Sequence, residues 1–392
     1  MKSRLKQFLK NNEYCYLLYR LIGSSLLLFI SMFISTKENT ILFVSFGGRK
    51  FDDSPRAIYE AMINDPAFKK YTFVWAFLKP EKYNIAHANT KVIKIDSLKY
   101  FYYALASHFW IVNTSIERGL SFKRKRNICI NTWHGTPLKK ICGEENIKQK
   151  INQNLGKFDL MCSQSEYDKA IFERIFRLSS NQVIKSDLPR NDNLLKYNPE
   201  KCKEIKQKLG IPIDKKVILY MPTFREYLVE QNKTYFNIPM NLNKWKQKLG
   251  DQYVLLIRAH YLVVKSLNIK EDGFVYDVSN YEKLDDLYAI SDIMISDYSS
   301  AFFDFAILNR PELCFAYDLN DYKKYRGLYV DLKEVLPCCI DTTEDQVISH
   351  IEDMNVQLAV NKVKDFKNKY TPYAGTATNR IINEIKRRYL AS

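Results

Sequence analysis

Short apolar runs alternate with amphipathic stretches along most of this chain, and the alternation stops once and restarts. The runs at 41–46, 71–77, 91–95, 109–113, 127–132 and 159–163 are separated by helical patterns such as 55–63, 98–106 and 166–176. A polar, lysine-rich stretch at 191–208 interrupts them. New runs then follow at 216–221, 253–258, 274–277, 292–296 and 312–316. Apolar runs of this length read as strands buried on both faces, and helices between them supply the crossovers that parallel strands need. The spacing therefore predicts two Rossmann-like α/β domains facing each other. An N-terminal segment spans 1–39, a first domain 40–205 and a second domain 206–392. The last helical pattern, 377–390, follows the breakers Pro372 and Gly375, is basic, and is expected to pack back on the first domain. Open α/β sheets bind ligands outside the carboxyl ends of their strands, so the reaction belongs in the cleft between the halves.

A length of 392 residues suits two domains, and 46% hydrophobic residues can fill their cores. The formal charge of +16 asks for an anionic partner: nucleic acid, an anionic membrane or a phosphate-rich substrate. The basic residues do not gather into one face interleaved with aromatics, so nucleic acid is not expected. None of the eight cysteines forms a C-x-x-C pair; they read as buried reduced thiols, not as zinc ligands. Near the start, 21–34 is an uncharged and mostly apolar run of 14 residues, short of the roughly 20 needed to span a bilayer. No small-residue cleavage site follows it, so a signal peptide is not expected. It reads as a membrane-associating surface helix, with the early lysines Lys2, Lys6 and Lys10 near anionic headgroups, or as an ordinary packed helix.

The motifs with chemical content sit where strands end. In Asn131-Thr132-Trp133-His134-Gly135-Thr136-Pro137-Leu138-Lys139-Lys140, His134 follows a strand, Gly135 permits a sharp turn and Pro137 stops the strand. A histidine there can bond nearby backbone or take a proton from an attacking hydroxyl, and Lys139 and Lys140 can meet phosphate. At 292–309 a strand leads through Asp297-Tyr298-Ser299-Ser300 into a helical face. Free backbone N–H groups and the two serine hydroxyls can hold a phosphate there, or the serines can simply cap the helix. Arg258 and His260 end another strand, Arg225 ends a third, and Arg326 adjoins Gly327 and precedes Asp331. Each arginine alone reads as solvated or salt-bridged; three in one half suggest a shared polyanion pocket. His87, His108 and His350 read as structural. Neither a phosphate-binding P-loop nor a G-x-G-x-x-G fingerprint is present, and no histidine cluster suggests a metal, so no cofactor and no metal are expected.

Taken in order, ILFVSFGGRKFDDSPRAIYEAM, NTWHGTPLKK, LPRNDNLL, MPTFR, IRAH, LYAISDIMISDYSSAFFDFA and YDLNDYKKYRGLYVD resemble the CDP-glycerol glycerophosphotransferases of teichoic acid synthesis, from about residue 41 to 331. The resemblance implies a GT-B fold and a metal-independent transfer that releases CMP. CDP-glycerol would lie against the second domain, its diphosphate held by Asp297, Ser299, Ser300, Arg258 and Arg326, with Arg225 as a further donor-binding residue. His134 and His260 match the family's functional histidines, as general base and as phosphate or leaving-group contact. Gly135, Thr136, Lys139 and Asp331 are further candidates. The acceptor implied is an undecaprenyl-diphosphate-linked saccharide or growing wall polymer, at the cytoplasmic face of the membrane with the enzyme bound peripherally. The length suits a primase-like or capsule enzyme. CDP-ribitol as donor, or a nucleotide-sugar GT-B glycosyltransferase, are the alternatives. The chain departs from the family pattern at Val44, at Asp187-Leu188 where a glycine usually precedes the Pro-Arg-Asn-Asp run, and at Leu336-Pro337-Cys338-Cys339.

Overall fold

The computed structural model describes residues 12–145, 156–225, 228, 238–259 and 272–390. Seven strands, β1 (Lys37–Val44), β2 (Thr72–Phe77), β3 (Thr90–Lys94), β4 (Ser107–Val112), β5 (Ile128–Asn131), β6 (Leu160–Ser163) and β7 (Val183–Lys185), form the first sheet in the order β3-β2-β1-β4-β5-β6-β7. Six more, β8 (Lys216–Tyr220), β9 (Tyr253–Ile257), β10 (Val275–Asp277), β11 (Ile293–Ser296), β12 (Glu312–Phe315) and β13 (Ile340–Asp341), form the second in the order β10-β9-β8-β11-β12-β13. Every pairing within the two sheets is parallel. In both sheets the strand order reverses beside the first strand, between β1 and β4 and between β8 and β11. That switch point leaves a crevice at the carboxyl ends.

The period of two along β1 shows why the runs are continuously apolar. Ile41 and Phe43 face a core with Trp75, Leu160 and Cys162, while Leu42 and Val44 face another with Trp110, Phe122 and Phe172. Both faces are dry, so neither set of positions can be polar. β7 and β13 carry only three and two residues, too few for a readable pattern. Cys129, Cys162 and Cys314 are buried; Cys339 is exposed.

The lysine-rich stretch is ordered as a 3-10 segment, Pro189–Lys196, and a helix, Pro199–Lys208, capped by the Asn198 side chain. The helix runs through the expected 205/206 boundary, and its Ile205 packs with Val217 and Leu219 of the second sheet. At the other end the helix Val356–Tyr370 packs on that same core. The chain then turns, and Ile381, Ile382 and Ile385 of the helix Ala377–Ile385 join the first-sheet core beside Ile41 and Phe43. Each such isoleucine contributes about 1.5–3 kcal/mol by burial.

The N-terminal helix is longer than the apolar run suggested, Glu13–Ser31, because Arg20 does not interrupt it and Asn12 caps its start. Its inner edge is narrow. A Cβ on Gly23 would meet Leu120 at 2.9 Å, the Ser121 amide donates to Ser24 Oγ at 2.9 Å, and Arg124 Nη1 donates to the carbonyls of Ser31 and Ile34 at 2.8 Å. Leu21, Ile22, Leu26, Phe29 and Phe33 remain exposed. The segment Tyr14–Ser31 is long and apolar enough to cross a membrane by length and composition, and only 6% of it is buried.

Candidate active site

The first wall of the cleft is made by the turn after β5. Asn131 locks it from both ends: its Oδ1 accepts the Trp133 amide at 2.8 Å and its Nδ2 donates to the Thr114 carbonyl at 3.0 Å. Trp133 takes φ +55° and Gly135 φ +138°. Between them His134 stacks on Trp133, ring centroids 4.4 Å apart, with Phe46 edge-on at 6.5 Å. His134 Nδ1 lies 3.0 Å from the Asn113 carbonyl. A carbonyl can only accept, so Nδ1 carries the proton and Nε2 keeps its lone pair. No hydrogen-bond partner of Nε2 occurs among the described residues, and His134 lines the cavity between the two sheets. Burial pushes the His134 pKa below the ordinary imidazole value; the Asn113 bond and Asp53 oppose this, and Arg190 and Lys139 reinforce it. Near neutral pH the ring is an unprotonated base.

The second wall is the turn after β11. Asp297 is fully buried and serves as its pin, its Oδ1 accepting the amides of Tyr298 at 2.7 Å and Thr223 at 3.0 Å. Arg225 Nη1 meets Asp297 Oδ2 at 2.9 Å, and Arg225 grips Asp318 bidentately at 2.7 and 2.8 Å. Tyr298, Tyr317 and Tyr322 surround the guanidinium at 4.9–5.3 Å. The structure thus brings Asp297 and Arg225 together, and it buries both behind the turn. Ser299 and Ser300 remain on the cavity surface, with Ser299 Oγ accepting the Ala301 amide at 3.1 Å. Ser300 makes no side-chain cap bond to the helix Ala301–Phe305. The two walls touch here: a Cβ on Gly135 would lie 2.3 Å from Ser300 Oγ and 2.7 Å from Ser300 Cβ. Only glycine allows that approach.

The cavity encloses about 560 Å³, and Arg258 and Met221 belong to its lining. Arg258 Nη1 donates to the Tyr281 carbonyl at 2.7 Å, and burial lowers its pKa without discharging it. Asp285, across from Asp52, is pushed up to about 7 by burial first and by Asp52 second.

Other expected site residues lie elsewhere. Thr136 is buried and donates to Gln164 Oε1 at 2.8 Å. Lys139 pairs with Leu328 in an antiparallel bridge, the Lys140 amide donates to the Gly327 carbonyl at 3.1 Å, and Arg326 donates to the Lys140 carbonyl. Arg326 therefore stitches the two halves together and is not part of the cavity lining. Asp331 caps the short helix Leu332–Val335, accepting the Lys333 amide at 3.1 Å. His260 lies outside the described residues.

Sequence reasoning passed over Arg190. Its Nη1 donates to Asp53 Oδ2 at 2.8 Å and to the His134 carbonyl at 3.1 Å; its Nη2 donates to Asp304 Oδ2 at 2.7 Å. The neighbouring Asn191 donates to Asp304 Oδ1 at 2.6 Å. The signal available was the LPRNDNLL string, which carried resemblance but no chemistry of its own.

Two Rossmann-ordered sheets, a neutral histidine on one wall and a serine turn with a cationic neighbour on the other define a group-transfer cleft suited to an anionic donor. The chain belongs to the CDP-glycerol:poly(glycerophosphate) glycerophosphotransferase family, whose model matches residues 26–387. It is 34% identical over 333 residues to the teichoic acid glycerol-phosphate transferase of Staphylococcus aureus, covering 81% of this chain and 84% of that protein. It is 36% identical to the teichoic acid poly(glycerol phosphate) polymerase of Staphylococcus epidermidis over 90% of this chain, and spans about half (51%) of that longer protein. The structure of the wall teichoic acid polymerase TagF superposes with a TM-score of 0.82 at 30% identity, covering 99% of this chain and 98% of the solved one.

Proposed function

We propose that this chain transfers glycerol phosphate from CDP-glycerol to a hydroxyl of a lipid-linked wall polymer or its saccharide primer. The two sheets act as the facing halves of a GT-B enzyme. The observation that carries this reading is His134: its Nδ1 is committed to Asn113, its Nε2 has no hydrogen-bond partner among the described residues, and Gly135 beside it abuts Ser300. In the reaction the acceptor oxygen attacks the β-phosphorus of the donor. The P–O bond to the CMP moiety breaks and CMP leaves. The acceptor proton passes to His134 Nε2. Arg258 and the Ser299 and Ser300 hydroxyls offset charge on the diphosphate, while Arg225 and Asp297 hold the turn in place. Positioning and electrostatic stabilisation supply most of the acceleration in such transfers. His260 retains the part that the family resemblance gives it, a phosphate or leaving-group contact. Arg326 acts by keeping the 138–141 and 326–329 segments paired across the cleft. The exposed apolar face of the Glu13–Ser31 helix supports work at the cytoplasmic membrane surface, where a lipid-linked acceptor is held.

The test is direct. The full chain is incubated with CDP-glycerol, CDP-ribitol or UDP-sugars and a panel of lipid-linked acceptors, and released nucleotide and product mass are measured. CMP release with a glycerol phosphate mass increment is expected. UDP release with sugar transfer would replace this reading with glycosyl transfer. Replacing both Ser299 and Ser300 with alanine is expected to raise the KM for CDP-glycerol; an unchanged KM would reduce those serines to turn structure.

A further inference from the structure

We infer that Arg190 is a positioning residue that ties the two walls of the cleft together and holds the His134 segment in its working place. This inference rests on the proposed role of His134 as base. The geometry is a three-way fork. One guanidinium edge takes Asp53, at the start of the helix Asp53–Met62 on the first-domain side. The other takes Asp304, in the helix Ala301–Phe305 that follows the serine turn. The same Nη1 that holds Asp53 donates to the backbone carbonyl of His134. The guanidinium thus bridges the base-bearing loop of one sheet and the serine-turn helix of the other. Asp53 and Asp304 are 7% and 3% exposed, so little water competes with the guanidinium for either carboxylate. A planar fork with fixed donor directions fixes distance and angle at once, which a lysine ammonium does not.

The charges facing His134 can be named from each packed element. Asp53 comes from the helix Asp53–Met62, Arg190 from the Pro189–Lys196 segment and Lys139 from the histidine's own loop; Asp304, Arg258 and Asp285 line the same cavity. Arg190 opposes protonation of the ring, and Asp53 favours it. Burial works against the Arg190 charge, but Asp304 and Asp53 more than offset it, so the arginine stays charged. Removing the guanidinium takes away the opposing cation and bares Asp53, and both changes move His134 in the same direction, upward.

The experiment compares the wild-type chain with Arg190→Lys and with Arg190→Gln combined with Asp304→Asn. The combined variant avoids leaving two buried carboxylates without a partner. Two quantities are read: the titration midpoint of His134, by NMR of ring-labelled histidine assigned against His134→Gln, and the kcat and KM for CMP release from CDP-glycerol. In the combined variant the midpoint is expected to rise by about one pH unit. In Arg190→Lys the midpoint stays near wild type while kcat falls about tenfold to a hundredfold at little-changed KM. Folded variants with an unchanged midpoint and unchanged kcat would overturn the inference. Should the combined variant fail to melt cooperatively, Arg190→Lys decides: wild-type kcat in that variant overturns the positioning role, and a kcat loss at constant midpoint supports it. A wild-type chain that releases no CMP while the His134 midpoint still shifts would sink the transfer reading and leave Arg190's hold on the ring established.

Discussion

His134 illustrates how much of a side chain's chemistry is set by its neighbours. Its Nδ1 proton is fixed by a backbone carbonyl, its ring plane by Trp133, and its proton affinity chiefly by burial. The sign of the resulting pH dependence follows. A base with a lowered pKa is unprotonated from below the usual imidazole value of about 6.5 upward. The acid limb of kcat/KM for CMP release should therefore fall below that value, with a plateau through neutral pH. A limb centred above pH 7 would contradict the burial argument. His134→Ala should reduce kcat/KM by about 10²–10⁴-fold with the fold intact. Arg225 makes the opposite point. In sequence it reads as one of several phosphate-seeking arginines, yet Asp297, Asp318 and three tyrosine rings consume it. Arg225→Ala should destabilise the chain by about 3–5 kcal/mol, because the buried Asp297 and the partly buried Asp318 lose their cationic partner. Urea unfolding measures this, and a loss well under 1 kcal/mol would show the site to be wet.

Among the elements, the link between the sheets is the most informative. Asp187 precedes the Pro189–Lys196 segment with φ +63°, a left-handed conformation that glycine adopts without strain. A glycine, which the family resemblance leads one to expect there, would hold this backbone without strain. Asp187 also accepts the Tyr373 amide at 2.5 Å, which ties the chain's C-terminal return to the link, while its Oδ1 is buried without a partner among the described residues. Burial, above all, pushes its carboxyl up to about 8, against the pull of the Tyr373 bond. The folded pKa thus exceeds the unfolded value of about 3.9. The stability tied to the protonated form is whole below about pH 4 and is lost as pH rises through about 8. Asp187→Asn keeps the shape, tolerates the left-handed backbone and removes the titration. Its Tm advantage over wild type should widen between pH 5 and pH 9, and a pH-independent difference would refute the assignment. The strands themselves were legible because both faces are apolar. The helix Pro199–Lys208 was not, since a single buried residue, Ile205, leaves almost no periodic signal among its lysines.

For the whole molecule, the N-terminal helix leaves a broad apolar face exposed and holds the first domain through a thin seam of Gly23, Ser24 and Arg124 contacts. Replacing Leu21 and Phe29, both more than half exposed, with glutamate should cost little folding stability. It should release the chain from phospholipid vesicles in co-sedimentation; vesicle binding equal to wild type would end the membrane reading. The sequence by itself determined the two parallel sheets, the strand-end placement of His134, Arg258 and the serine turn, and the family. Each depends on local pattern: apolar runs, turn residues and their order. Only the tertiary structure decided which polar groups face the cavity and which are spent behind it. Gly135 meets Ser300 and Arg225 meets Asp318 although the partners lie far apart in the chain, and Arg190 finds its two carboxylates at separations of 137 and 114 residues. Charge pairing at that range depends on how two sheets dock, and no local pattern encodes it.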